Sequence, residues 1–351
     1  MNRFRLPALW ISLVLCLVNG TAARACQIPV FRYALERWAP AEYRVSILAA
    51  DTGLTAAEKK ALELLSAAPR DPGNPVNLQI ETGPPTPGAS GPAQIVLHYP
   101  HKPRDARKQP IWQAALTEQN VQRLLDSPMR RELRSRVLAG QSAVWVLVES
   151  GDAAKDNAAA STMTAALAEA QTSLKLPDGV ITSSEVGKRS DLKASEQADA
   201  LRSELPLKIE FSFLRLQRTD PAEAALLAML THLEDDLGDL ADEPMVFPVF
   251  GRGRVIEPLV GAGITRENVM EHSGYLCGAC SCEVKDQNPG IDLLVAANWE
   301  PVDTTPEIEI IRIAPQAVAP APPQSLVPAV GAAVLLVGCA AWLLRRKKAM
   351  N

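Results

Sequence analysis

The stretch Met245-Val-Phe-Pro-Val-Phe-Gly-Arg-Gly-Arg-Val-Ile-Glu-Pro-Leu-Val-Gly-Ala262 decides the fold. Its first six residues, 245–250, are apolar and short, as in a strand. Gly251-Arg-Gly253 reads as a tight turn, and residues 254–258 return as a second strand. Thr265 then caps a helix reaching about residue 275. Toward the N-terminus, Ala143-Val-Trp-Val-Leu-Val148 is another continuous apolar run of strand type. Between these anchors, the alanine-rich residues 158–174 predict a helix. Residues 207–216 alternate as a strand. Asp220-Pro221-Ala-Glu223 predicts a helix start with cap, first-turn proline and reciprocal glutamate in place. Residues 177–205 are polar and mixed, a long excursion.

Over residues 143–275 the order is thus strand, helix, strand, helix, strand, strand, helix. That order resembles the thioredoxin-like superfamily, with Val260-Gly261-Ala262 before the last helix as part of the likeness. Pro244 stands about where that family places its cis-proline, and Pro248 competes for the role. The resemblance implies an α/β fold with a mixed sheet and flanking helices. It also implies a redox Cys-x-x-Cys after the first strand. There the chain reads Ser150-Gly-Asp152-Ala-Ala-Lys155-Asp156, without cysteine. The family's dithiol chemistry therefore does not carry over to this loop, although the fold can persist without it.

Ahead of this region lies a β-α-β start. Residues 43–49 alternate, Thr55-Ala-Ala-Glu58 is a capping box for a helix to about residue 67, and residues 76–81 read as a second strand. Residues 82–92, dense in glycine and proline, form a loop, and residues 95–99 a further strand. A helix follows from about residue 117. Ser127-Pro128 opens another, which Gly140 ends. Residues 291–296 read as a last strand.

The ends of the chain place the middle. An apolar segment at residues 6–18 follows Arg3 and Arg5 and leads to Ala23-Arg24-Ala25, a pattern of the kind signal peptidase cuts. Residues 326–344 carry no charge and just span a hydrocarbon core. Arg345-Arg-Lys-Lys348 follows and is expected to stay cytoplasmic. The expected organisation is a signal peptide at 1–25, an N-terminal βαβ region at 26–100 and a thioredoxin-like domain at 101–300 with an insertion at 177–206. A Pro/Ala-rich stalk at 301–325, a single transmembrane helix at 326–344 and a basic tail at 345–351 complete it. A formal net charge of −4 gives no electrostatic reason to expect nucleic acid.

Cys16 and Cys339 fall in the apolar ends, which leaves Cys26, Cys277, Cys280 and Cys282 in the exported part. Three readings of Cys277-Gly-Ala-Cys280-Ser-Cys282 stand side by side. In the structural reading one pair closes locally and another cysteine staples Cys26 to the C-terminal part; four cysteines allow three connectivities. In the redox reading Cys277 or Cys280 attacks and Cys282 resolves. In the metal reading the three thiols join His272 or Cys26 around zinc. Ordinary cleavage before Cys26 is preferred to lipidation, because Arg24 spoils a lipobox.

Other features read as structural. Gly251-Arg-Gly253-Arg254 lacks the third glycine of a dinucleotide fingerprint. Asp235, Asp236, Asp239 and Asp242 lack calcium-loop spacing. Ser90 sits in a Pro/Gly loop one residue short of a nucleophile elbow. His98 and His101 read as surface residues. Trp38, Trp112, Trp145 and Trp299 read as core or interface anchors. The expected function is a non-catalytic binding or assembly module of the cell envelope, held by its C-terminal helix, with an envelope protein as partner and no cofactor. The alternative is a thiol–disulfide oxidoreductase or redox sensor using the cysteine cluster.

Overall fold

The structure is a computed structural model that describes residues 27–84, 88, 90–100, 110–280 and 284–302. The leader at 1–25, most of the stalk and the span at 326–344 lie outside these residues, as do Cys26, His101 and Cys282. No helix among the described residues is long and apolar enough to cross a membrane. The fold is α/β with two mixed sheets.

The first sheet is built from β1 (Tyr43–Leu48), β2 (Leu78–Thr82), β3 (Gln94–His98) and β4 (Trp112–Ala115), in the order β2-β1-β3-β4. β1 and β2 are parallel; β3 is antiparallel to both β1 and β4. Helix α1 (Val30–Arg37) precedes this sheet. Helix α2 (Ala56–Ala67) joins β1 to β2 and starts on the expected box: Thr55 accepts the Glu58 N–H, and Glu58 accepts the Thr55 N–H at 2.8 Å. Helix α3 (Glu118–Leu125), capped by Thr117, follows β4.

Helix α4 (Pro128–Leu138) begins with Ser127 as cap and proline at its first position, and Gly140 ends it at φ +91°. The second sheet holds β5 (Ala143–Val148), β6 (Phe211–Leu216), β7 (Met245–Phe250), β8 (Arg254–Val255), β9 (Leu259–Val260) and β10 (Ile291–Asp292). Its order is β10-β8-β7-β5-β6, with β9 also paired to β7. β5 and β6 are parallel; β7 is antiparallel to β5, β8 and β9. The return from β7 is split. β8 pairs with Val249 and Phe250, β9 with Met245 and Val246, and Pro248, which has no N–H to offer, falls between them.

Helix α5 (Ala153–Ser173) connects β5 to β6 and starts five residues earlier than the alanine run suggests, because Asp152 caps it. The excursion at 177–205 carries two short helices, α6 (Ser183–Val186) and α7 (Ala194–Ala198). Helix α8 (Ala224–Thr231) lies between β6 and β7, and α9 (Arg266–Cys277) follows β9. The expected helix start at Asp220 is corrected here: α8 begins at Ala224, and Glu223 makes no cap for it. Glu223 instead accepts the Met129 N–H at 2.7 Å, capping the first turn of α4 across the core. Asp220 holds only the local turn, through the Ala222 N–H.

Strand β5 is buried on both faces and separates two cores. Val144, Val146 and Val148 face a core shared with the first sheet, α2, α3, α4 and α8. Ala143, Trp145 and Leu147 face a second core made with α1, α5 and α9. The two sheets share one plan. In each, a first strand lies between a parallel second strand and an antiparallel third, the fourth follows as an antiparallel neighbour, and a long helix starts the connection from strand one to strand two. Among the described residues, the first sheet shows no helix between its second and third strands like the one α8 supplies in the second.

Candidate functional site

The loop at residues 150–156 lies where β5 ends and α5 begins. It is closed by its own carboxylates. Asp152 accepts the N–H groups of Ala154 (2.8 Å) and Lys155 (3.2 Å), which hold its carboxyl below the usual range, Lys155 most strongly. Asp156 is buried and turns back over the loop. It accepts the Ser150 N–H (2.7 Å), the Ser150 hydroxyl (2.8 Å) and the Gly151 N–H (3.1 Å). The backbone needs a left-handed residue to allow this, and Gly151 supplies it at φ +94°.

Two cations tie the loop to the segment ahead of β7. Lys155 donates to the Glu243 carboxylate (2.6 Å) and the Asp242 carbonyl (3.0 Å). The hydrogen bond to Glu243 raises its pKa. Arg218 donates to the carbonyls of Glu149 (2.9 Å) and Glu243 (3.2 Å). The Ser150 hydroxyl also accepts the Asp152 N–H. These bonds serve the turn, and the loop offers no thiol or histidine. Among the described residues no peptide bond is cis, so neither Pro244 nor Pro248 takes the form the resemblance implies.

The matching place in the first sheet is open. A groove of about 440 Å³ is lined by Thr52, Gly53, Thr55, Glu58, Gly91, Pro92, Thr117 and Glu118. The caps of α2 and α3, Thr55 and Thr117, both border it. Glu58 spans its floor, accepting the Ala93 N–H at 2.7 Å as well as the Thr55 N–H and hydroxyl. Those donors lower its pKa, the Thr55 backbone most and Ala93 next. The sequence reading did not single out this groove. Its signals were the capping box and the Gly91-Pro92 pair ahead of β3, which separately mark only a helix start and a turn.

Cys277, a free thiol, is the last residue of α9, and Cys280 lies three residues on; both are buried in the second core. Burial pushes the Cys277 thiol up to about 12. His272 sits one helix turn earlier, its Nδ1 3.0 Å from the Asn268 carbonyl and its ring 6.1 Å from that of Trp145. Its Nε2 and the Trp145 Nε1 are buried without partners. Among the described residues no group of His, Cys, Asp or Glu is arranged to hold a metal ion.

The start of the described chain runs beside this cluster. Pro29 pairs antiparallel with Ala279; Val30 donates to the Gly278 carbonyl (3.0 Å) and Cys280 to that of Ile28 (2.9 Å). The Gly-Arg-Gly-Arg turn proves to be the dock for α1. Arg252 donates to the carbonyls of Leu35 (2.7 Å) and Glu36 (3.2 Å). Arg254 stacks over Trp38 with its guanidinium carbon 5.3 Å from the ring centre. Arg32 and Glu36, a buried pair at 2.7 Å that the sequence reading passed over, fasten the same helix to Ser203.

The remaining candidates stay apart. Asp235, Asp236, Asp239 and Asp242 are exposed, Ser90 is exposed, and His98 ends β3 half-buried. Trp38 and Trp145 are buried, while Trp112 and Trp299 pack partly buried on the shared core. Comparison with family models and with curated proteins found no match.

Proposed function

We propose that the protein is a membrane-anchored, extracytoplasmic thioredoxin-like protein that binds or assembles other proteins of the cell envelope and performs no thiol chemistry at residues 150–156. The observation that carries this reading is the loop itself. The position where the superfamily keeps its dithiol is occupied by Asp152, Lys155 and Asp156, and each is committed to holding the turn. Strand order β6-β5-β7-β8, with a parallel first pair and an antiparallel hairpin, supports the resemblance. The groove beside α2 is the surface we assign to binding, because it is concave and its floor is fixed by Glu58.

The alternative, thiol–disulfide exchange at Cys277-Gly-Ala-Cys280-Ser-Cys282, needs an exposed thiolate. Burial of Cys277 and its pKa of about 12 oppose it at that position. The test is reduction of an insulin disulfide by the purified chain with a thiol donor. No turnover above the donor alone is expected. Turnover abolished by Cys282→Ser would instead establish the oxidoreductase. A C-terminal reporter that works only in the cytoplasm tests the orientation, and inactivity of that reporter would overturn it.

A further inference from the structure

We infer that the outer edge of β6 joins two copies of this chain through an antiparallel β6–β6 pairing. Strand β6 pairs with β5 on one side, and among the described residues no strand lies on the other. The carbonyls of Glu210 and Leu216 are both taken from the β5 side, by the Ser142 N–H at 2.8 Å and the Glu149 N–H at 2.9 Å. Even-numbered residues of the strand therefore bond inward, and the N–H and C=O groups of residues 211, 213 and 215 point outward. The Gln171 side chain of α5 accepts the Phe211 N–H at 3.1 Å and closes that end. At the other end the chain turns away, with the Asp220 N–H on the Gln217 carbonyl. Between these limits the backbone groups of Phe213 and Arg215 have no partner among the described residues. The run Phe-Ser-Phe-Leu-Arg-Leu carries one charge and no proline, an apolar edge of the kind folded proteins cover.

The occupant that fits this edge is a second copy. A two-fold axis through Leu214 sets Phe213 of each copy against Arg215 of the other. Facing pairs of this kind exchange both backbone bonds, so every open group is satisfied and the Phe211–Gln171 bond stays intact. An axis through Phe213 would instead set Phe211 against Arg215 and break that bond. In the favoured register the side chains match as well. Phe213, half-buried on the second core, shares a face of the strand with Arg215. Arg215 is held by Glu149 at 2.5 Å and Asn157 at 3.0 Å, and keeps 41 % exposure. Each copy's guanidinium then lies beside the other's phenyl ring, a cation–aromatic pair made twice. On the opposite face Leu214, partly buried on the shared core, meets its own counterpart across the axis. A foreign strand would find only two open residues between Gln171 and the turn. A copy brings into the same reach the ring and the cation that complement them.

The pairing holds whether or not the chain is exported, and whichever surface binds other proteins. The full chain is purified in dodecyl maltoside and its mass read by analytical ultracentrifugation. Wild type should be a dimer. Leu214→Lys sets two ammonium groups against each other on the axis and should give monomers, as should Leu214→Glu with two carboxylates. Mixing the two variants should restore a dimer with one chain of each, which a merely structural fault at position 214 would not do. Hydrogen exchange reads the same bonds without a substitution. The amides of Phe213 and Arg215 should exchange slowly in the wild-type dimer and fast once dilution gives monomers. The Leu214 amide, which points to β5, should stay protected in both. A monomeric wild type, a dimer that both variants leave intact, or fast exchange at 213 and 215 in the dimer would overturn the pairing. So would a mixture that stays monomeric while both variants keep the wild-type circular dichroism.

Discussion

Replacing Glu36 by alanine tests how the first helix is held. Glu36 receives Arg32 at 2.7 Å, the Ser203 hydroxyl at 2.8 Å and the N–H groups of Arg202 (2.8 Å) and Ser203 (3.2 Å). Both partners of the ion pair are almost wholly buried, at 1 % and 0 % exposure. The substitution strands a buried guanidinium and removes the acceptor of two backbone donors. Breaking a buried pair on one side costs about 3–5 kcal/mol. Domains of this kind are stable by only about 5–15 kcal/mol in total, so the loss is large. Urea unfolding followed by circular dichroism reads it. The double variant Arg32→Met/Glu36→Leu removes both charges and should cost less than Glu36→Ala alone, a non-additivity that simple loss of contacts does not produce. A Glu36→Ala cost below about 1 kcal/mol, or a double variant less stable than that single one, would refute the assignment of α1 docking to this pair.

Gly251→Ala places a methyl 2.7 Å from the Ala34 Cβ and 3.1 Å from its carbonyl carbon, at a φ of +56°, so α1 must shift; a loss of about 1–3 kcal/mol in urea unfolding is expected. Cys277 should resist iodoacetamide at pH 8.5 in the native chain and react once urea unfolds it. Its folded pKa of about 12 lies above the unfolded value near 9, so its contribution is whole below pH 9 and is lost as pH rises toward 12. Wild-type stability should therefore fall across that window more steeply than that of Cys277→Ala.

The chain announced its second sheet well because its central strands are covered on both faces. Ala143–Val148 and Met245–Phe250 are apolar throughout, and no other element competes for such runs. The caps at Thr55, Ser127 and Thr265 were equally plain, since each is a local bond between neighbours in sequence. What escaped was whatever depends on distant residues. Asp220-Pro-Ala-Glu223 has the chemistry of a helix start, yet the Glu223 side chain serves Met129, 94 residues away. Helix α1 mixes Arg32 and Glu36 with apolar residues because it is buried almost all round and satisfied by Ser203 and Arg252, which no periodicity within it reveals. The short strand β4 lacks strand-like alternation and exists because β3 pairs with it. The shared plan of the two sheets was hidden likewise, since it resides in strand order rather than in repeated residues.

The docking of α1 also orders events in time. Its hydrogen bonds to Ser203, Arg252 and Gly278 all reach residues beyond 200, so that polar dock is complete only late in the chain. A chain emerging N-terminus first carries this segment without those hydrogen-bond partners until nearly all the rest has followed. Contacts spanning such separations slow folding, because the intervening loop must close before they form. The molecule therefore cannot complete itself from the front. The polar groups of α1 remain available to whatever handles the growing chain, and the arrival of residues 251–280 is the moment at which the second core can close.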